Sequence, residues 1–330
     1  MRAVIGTSVS TAINWLKAGE PVALPTETVY GLAAPLTSIE TIKKIYELKK
    51  RPADNPLIVH VLDGLQLESV AEVTPRVLRL VERFWPGPLT LVLKRKLCVP
   101  DVVTSCQETV AVRAPQSPLF REVIRLLGSP LVAPSANKFQ HVSPTTAQHV
   151  LNDMGDVLKY ILDGGPCTFG LESTILSLID EDCPKLLRYG PIAKEVLEDF
   201  LGQAIESIGH TENGKPHLSP GLYKKHYSPR TPLYWVSDLA TYCPPEHLVY
   251  TFENKAAHVF LCPPKRSLKK NEFVLSLHGN LSEVAANLFA MLQQLDEQDF
   301  ASIWIEKAPT EGIGNAINDR LSRAAHYNFC

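Results

Sequence analysis

The sequence predicts an α/β protein in two parts, a larger domain over residues 1–201 with a twisted mixed sheet and a smaller α/β domain over residues 233–330. Three observations predict it. Helix-period segments alternate with short β-branched apolar runs up to Leu201. A stretch over 202–232, dominated by Gly, Pro, His, Lys and Tyr, then carries no sustained period. Beyond it the alternation resumes. The 330 residues leave room for two domains, and 45% hydrophobic with 21% charged residues is the composition of a chain with a real core.

In chain order, Ser10 to Lys17 place Ile13 and Leu16 on one helical face, and Gly19 supplies a stop. PVALP, residues 21–25, reads as a short buried strand. Ser38 is placed to cap a helix carrying Ile42, Ile45, Tyr46 and Leu48 at helical spacing. That helix runs into KKRPADNP, and PLIVHV follows as a strand. Thr74 with Pro75 opens a further helix, and Ser117 with Pro118 opens another that ends at Gly128. Ser143, ahead of PTTAQHV, reads as a helix cap. LTLVL, TVAVRA, LVAPS, YILDG, STILSLI and KLLRY are β-like in composition. In the second part LVYTF, HVFLC and ASIWIEK read as strands, and SEVAANLFAMLQQL and INDRLSRAA as helices. The segment between the parts is long for an ordinary connection and reads as a linker with a role of its own.

Several function classes are poorly supported. A formal net charge of -2 provides no basic coat for stable, non-specific nucleic-acid binding, so an anionic ligand must be held by locally placed cations. There is no GxxxxGK[ST] loop, GxGxxG turn, GxSxG elbow or HExxH helix. The ten histidines lack metal-ligand spacing and the seven cysteines form no CxxC pair, which fits reduced thiols in a cytoplasmic protein and no protein metal cage. No apolar run reaches the roughly 18 residues of a membrane span, and the N-terminal stretch lacks a signal peptide's continuous apolar core.

Polar clusters instead sit at the ends of β-like segments, where α/β sheets bind ligands. PTETVYG supplies Thr26, Glu27, Thr28 and Tyr30, and Lys49-Lys50-Arg51 is followed by Asn55 and then His60. TVAVR puts Thr109, Ala111 and Arg113 on one strand face. Ala133, Ser135 and Asn137 precede Ser143, and GLEST carries Ser173, with Arg188 one strand later. Taken singly, each has a plain structural use. Lys49 and Arg51 suit a helix C-terminus, His60 suits a core strand, and Thr28 or Ser173 suits a backbone bond. Their recurrence at successive strand ends points to one site.

These motifs, in this order and at this spacing, resemble the YrdC-type threonylcarbamoyl-AMP synthases: PTETVYGLA, the KxR at Lys49–Arg51, NPLIVHV, FWPGPLTLVL, PSAN with SPTT, and GLEST. SPGLYKKHYSPRTPL and GIGNAINDRLSRAA resemble the linker and last helix of the family's long two-domain form. The resemblance implies a YrdC-like twisted sheet around a large concave cavity and a Rossmann-like C-terminal domain. It implies a nucleotidyltransferase that makes L-threonylcarbamoyladenylate from L-threonine, bicarbonate or CO2, and ATP, releasing pyrophosphate. A separate tRNA threonylcarbamoyl transferase complex would then modify adenosine at position 37 of tRNAs that read codons beginning with A. Carried over by position, Thr28, His60, Arg113, Ser173 and the carbonyl of Ala133 would hold threonine. Arg51, Asn55, Thr109, Ser135, Asn137, Ser143, Arg188 and His226 would surround ATP. Lys49 and Arg51 would act electrostatically, with no protein nucleophile, and Mg2+ would arrive on the phosphates. Thr26, Tyr30 and Tyr227 would wall or cover the pocket, His226 and Tyr227 belonging to a linker that folds over it as a lid.

Lys138-Phe139-Gln140-His141-Val142 replaces the small Ser-Gly pair that the family carries between PSAN and SPTT, which bears on how the phosphates are reached. The rival reading is an RNA-binding module without synthase activity, which a steep salt dependence of tRNA affinity would support. A carbamoyl-handling module of hydrogenase maturation is a second rival, but the chain lacks the CxxC pairs of those proteins. Asn315, Asn318, Asp319 and Arg320 on the last helix are expected to cap and pair locally.

Overall fold

The computed structural model of the chain describes residues 2–208 and 226–329, so the middle of the expected linker lies outside the described residues. The larger sheet is built from β1 (Val4–Gly6), β2 (Val22–Leu24), β3 (Gly31–Pro35), β4 (Ile58–His60), β5 (Leu89–Lys94), β6 (Thr109–Arg113), β7 (Leu131–Val132), β8 (Tyr160–Leu162), β9 (Thr174–Ser177), β10 (Lys185–Arg188) and β11 (Glu206–Ser207). Their order is β1-β8-β2-β3-β7-β4-β6-β5-β9-β10-β11. The pairing is mixed: β2 runs antiparallel to β3 and β5 to β6, while β4 pairs parallel with β6 and β5 with β9. A second sheet comprises β12 (Leu233–Val236), β13 (Ala256–Phe260), β14 (Glu272–Val274), β15 (Ser302–Glu306) and β16 (Tyr327–Phe329), ordered β14-β13-β15-β12-β16 with every pair parallel. Among the described residues no helix is long and apolar enough to cross a membrane.

The helix starts follow their local chemistry. Thr74 accepts from the Val77 amide with Pro75 in the first turn, and Ser117 accepts from the Phe120 amide before a helix closed by left-handed Gly128. Two expected caps are corrected. Ser38 precedes the helix Ile39–Lys49 but makes no capping bond; its hydroxyl pairs with that of Thr41. The helix Ala147–Met154 is capped by Thr146, which accepts from the His149 amide, leaving the Ser143 hydroxyl to donate to Glu172.

The second part brings a larger correction. LVYTF, expected as a strand, belongs to a 3-10 turn at Glu246–Leu248 and the helix Val249–Asn254. Pro244 and Pro245 deny the preceding backbone the donors a ladder needs. One turn then turns Phe252 onto Trp304, edge to face at 5.0 Å, while Tyr250 stays 65% exposed. β12, paired between β15 and β16, is a strand whose LYWV run went unread. Likewise β3, all five residues buried, follows PTETVY directly, and β11 extends the larger sheet past Leu201.

The two sheets share apolar cover. Val29, Val142 and Leu171 from the larger-sheet part pack into one core with Leu233, Leu288, Phe289 and Ile317. The backbones come close at Gly170, which has φ +67 and whose added Cβ would lie 2.4 Å from the carbonyl oxygen of Ala286 on the helix Leu281–Asp296. Gly170→Ala therefore meets both a backbone clash and left-handed strain. It is expected to lower stability by roughly 1–3 kcal/mol, read as a drop in the calorimetric unfolding midpoint.

Candidate active site

The loop from β2 to β3 carries Thr26, Glu27 and Thr28, all buried. Thr26 fastens it: the hydroxyl donates to the Val29 carbonyl at 2.6 Å and accepts from the amides of Thr28 and Val29. Tyr30 leaves the loop in the other direction. Its ring is fully buried, and its hydroxyl donates to Asp163 and to the Gly165 carbonyl, so it braces the wall from behind and does not line the cavity.

Parallel pairing of β4 with β6 sets His60 beside Arg113 at the ends of both strands. Arg113 is buried and fully engaged as a fork: Nε donates to the Gly87 carbonyl, Nη1 to the Thr28 hydroxyl at 2.9 Å, and Nη2 to Glu27 Oε1 at 2.6 Å. The other Glu27 oxygen accepts from the Gln116 amide. His60 lies against Phe120, and its Nδ1 has no hydrogen-bond partner among the described residues. Burial first, and Arg113 second, push the His60 imidazole down to about 3. Its folded pKa thus lies below the unfolded 6.5, so as pH falls through that window the unfolded chain takes up a proton the folded one refuses, and stability declines. At about pH 4.5 this histidine alone costs roughly 2–3 kcal/mol. The acid-side fall of the thermal midpoint is expected to be shallower in His60→Asn; an unchanged fall would place the proton elsewhere.

The rest of the wall comes from the turn at 49–56, the loop after β7, the end of β10 and residues 226–227. At the end of the helix Ile39–Lys49, left-handed Lys50 (φ 53) reverses the chain, so that Arg51 can clasp the Asn55 side chain and the carbonyls of Asn55 and Pro56. Lys49 is wholly buried, and its ammonium donates to the carbonyls of Ser135 and Asn137. It grips the PSAN backbone where a direct hold on an anion was expected. Arg188, at the end of β10, donates to the Ser173 carbonyl and hydroxyl, each at 3.0 Å. His226 and Tyr227 close the space. The amide of His226 bonds Arg323 on the last helix, Tyr227 stacks on Phe289, and Tyr227 holds φ 62, an unusual conformation for a bulky side chain. His226 Nδ1 also has no hydrogen-bond partner among the described residues. Burial, followed by Arg51 and Lys49, holds this imidazole well below its ordinary pKa, hence neutral.

The resulting cavity is bounded by Thr26, Thr28, Arg51, His60, Arg113, Ala133, Ser135, Ser173, Arg188, His226 and Tyr227. Asn55, Asn137 and Ser143 stand one step back, bonded to Arg51, to the Lys138 and His141 carbonyls and to Glu172 respectively. Thr109 does not join the cavity wall. It shares a face with Arg113, but four residues of strand carry it about 13 Å away.

This arrangement has known counterparts. A family model described as telomere recombination (Sua5, YciO, YrdC) matches residues 14–190, and one described as the C-terminal domain of threonylcarbamoyl-AMP synthase matches residues 192–326. The chain belongs to the threonylcarbamoyl-AMP synthase family. It is 40% identical over 326 residues to the threonylcarbamoyl-AMP synthase of Bacillus subtilis, covering 96% of this chain and 92% of that protein. The Pyrococcus abyssi threonylcarbamoyl-AMP synthase is 36% identical over 325 residues, 97% of this chain and 95% of that one. The crystal structure of P. abyssi Sua5 complexed with L-threonine superposes with a TM-score of 0.87 at 33% identity, over 99% of this chain and 100% of that one. As a member of this synthase family the chain is an enzyme, a nucleotidyltransferase.

Sequence reasoning missed three charged residues of this synthase fold. Glu27 stood in plain sight in PTETVY; a buried carboxylate implies a cation, but nothing local names Arg113. Glu172 appeared only as part of GLEST. Arg320 pairs locally with Asp319 as expected, at 2.6 Å, but also reaches Glu172 in the other part of the chain at 2.8 Å.

Proposed function

We propose that this chain makes L-threonylcarbamoyladenylate from L-threonine, bicarbonate or CO2, and ATP, with pyrophosphate as the leaving group. The observation that carries the reading is the convergence of Arg51, Arg113 and Arg188 on one cavity with two neutral imidazoles whose Nδ1 atoms have no hydrogen-bond partner among the described residues. The chemistry asks for little else. The threonine amine takes up CO2 as a carbamate, a carbamate oxygen attacks the α-phosphorus, and the bond to the β-phosphate oxygen breaks. Alignment and charge stabilisation suffice for these steps.

In this reading Thr28, His60, Arg113, Ser173 and the Ala133 carbonyl receive threonine. Arg51, Ser135, Arg188 and His226 face the nucleotide, with Asn55, Asn137 and Ser143 behind them. Both carboxylates nearest the cavity, Glu27 and Glu172, are already paired to Arg113 and Arg320, a donor set that suits an ion carried in by phosphates. Mg2+ bound in that way would neutralise charge on the phosphate oxygens.

The free space in the cavity is about 50 Å³, well below the several hundred a nucleotide site needs. His226 and Tyr227 must therefore move for ATP to enter, and their return would exclude water from a hydrolysable adenylate. The rest of the lid expected from the linker lies outside the described residues. We place the domain limits at 1–208, so as to include β11, and 233–330. The product would pass, in the cytoplasm, to a separate transferase acting on adenosine 37 of tRNAs that read codons beginning with A. The test is pyrophosphate release from ATP with threonine and bicarbonate added or omitted. Release that needs both, and is lost in Arg51→Ala, supports the synthase; release indifferent to threonine rules it out.

A further inference from the structure

The last helix, Ile313–Ala324, sends one side chain across to the cavity wall. Arg320 is fully buried. Its Nε donates to Glu172 Oε2 at 2.8 Å, and its Nη2 to the Tyr189 carbonyl at 3.0 Å. Its guanidinium also lies 5.2 Å from the centre of the Tyr227 ring. Glu172 itself borders the cavity, adjoins Ser173, and accepts the Ser143 hydroxyl on its other oxygen.

Glu172 thus lies between two cations with different duties. Burial pushes its carboxyl up, but Arg320 and then Arg188 outweigh that and hold it below the ordinary carboxylate range. Arg188 faces the cavity and senses both the Glu172 charge and that of Arg320. A buried carboxylate without Arg320 would have Arg188 as its remaining nearby cation, held at high local concentration by the fold.

We propose that Arg320 is a positioning residue for nucleotide binding: by holding the Glu172 carboxylate it keeps that carboxylate from closing on Arg188, and so leaves Arg188 directed at substrate phosphate. The C-terminal part, none of whose described strand residues lines the cavity, thereby sets through its last helix the cavity's affinity for an anionic ligand. The inference rests on the proposed reading in which Arg188 meets ATP.

The opposed prediction is that Arg320 is only a strut between the two parts. A strut and a charge guard differ in how they respond to removal of Glu172. Full-length wild type, Arg320→Met, Glu172→Gln and Arg320→Met/Glu172→Gln are compared by pyrophosphate release with ATP varied at saturating threonine and bicarbonate. Direct calorimetric titration with ATP, and thermal unfolding of each variant, accompany the kinetics. Arg320→Met is expected to raise the ATP KM and Kd on the order of tenfold while kcat changes far less. Adding Glu172→Gln, which removes the charge but can still accept the Ser143 hydroxyl, is expected to return both constants toward wild type. An ATP affinity unchanged in Arg320→Met, or a double variant as weak as the single one, overturns the proposal. If Arg320→Met does not fold, the double variant decides: near wild-type ATP affinity supports the guard, tenfold weaker binding supports the strut. Wild type that binds ATP without threonine-dependent turnover would sink the synthase reading alone, because the calorimetric ordering would still judge Arg320.

Discussion

Arg113→Met is expected to reduce threonine-dependent pyrophosphate release on the order of a thousandfold and to lower stability by about 3–5 kcal/mol. The two losses have different origins. Removing the guanidinium leaves Glu27, only 6% exposed, as an uncompensated buried charge, and strips a donor from Thr28 and from the Gly87 carbonyl. That is the stability loss. The activity loss follows from the proposed role of Arg113, which stands beside His60 at the cavity wall and in that reading would meet the amino-acid carboxylate. Arg113→Lys should not rescue, because a point charge cannot serve three acceptors in a planar fork. Glu27→Gln separates the effects: in the Arg113→Met background it should recover part of the unfolding free energy while turnover stays lost. Turnover that recovers along with stability would show that Arg113 acts only through the fold. A threonine KM unchanged in Arg113→Met would remove it from the substrate side altogether.

How much of this was legible follows from the range of the interaction concerned. The polar clusters were readable because each is local: PTETVYG, KxR, TVAVR and GLEST mark strand or helix ends through composition and spacing within a few residues. Thr74 and Ser117 announced their helices through Pro at the next position. What failed was non-local. Glu27 and Arg113 are 86 residues apart, and Glu172 and Arg320, in a loop and in the last helix, are 148 apart, so no window of sequence pairs them. LVYTF misled because its β-like composition is used to pack Phe252 on Trp304 from a helix, a tertiary choice that overrides propensity. Thr109 misled through a correct local statement: strand alternation puts it on the face of Arg113, but only the structure shows which end of the strand meets the cavity.

Lys49 poses the remaining question of charge, and its replacement should have the second-largest effect. Its side chain is buried, no carboxylate among the described residues lies at bonding distance, and its donors go to the carbonyls of Ser135 and Asn137, in the loop that in the proposed reading walls the nucleotide. Lys49→Met leaves two buried carbonyls without that donor, at a cost of roughly 1–3 kcal/mol each. It also frees the PSAN turn, so the ATP KM should rise while the threonine KM holds. A second signature reports on the proton. Burial, with Arg51 adding to it, holds the Lys49 amine well below its ordinary 10.5. The unfolded chain then binds a proton more readily than the folded one, so stability rises with pH from the folded-state value up to 10.5, where the unfolded lysine also lets go. Chemical denaturation across the alkaline range should show that rise in wild type and lose it in Lys49→Met. Identical slopes in the two proteins would mean that the lysine stays charged in the fold, and the wall around ATP would then hold a fourth cation behind its three arginines.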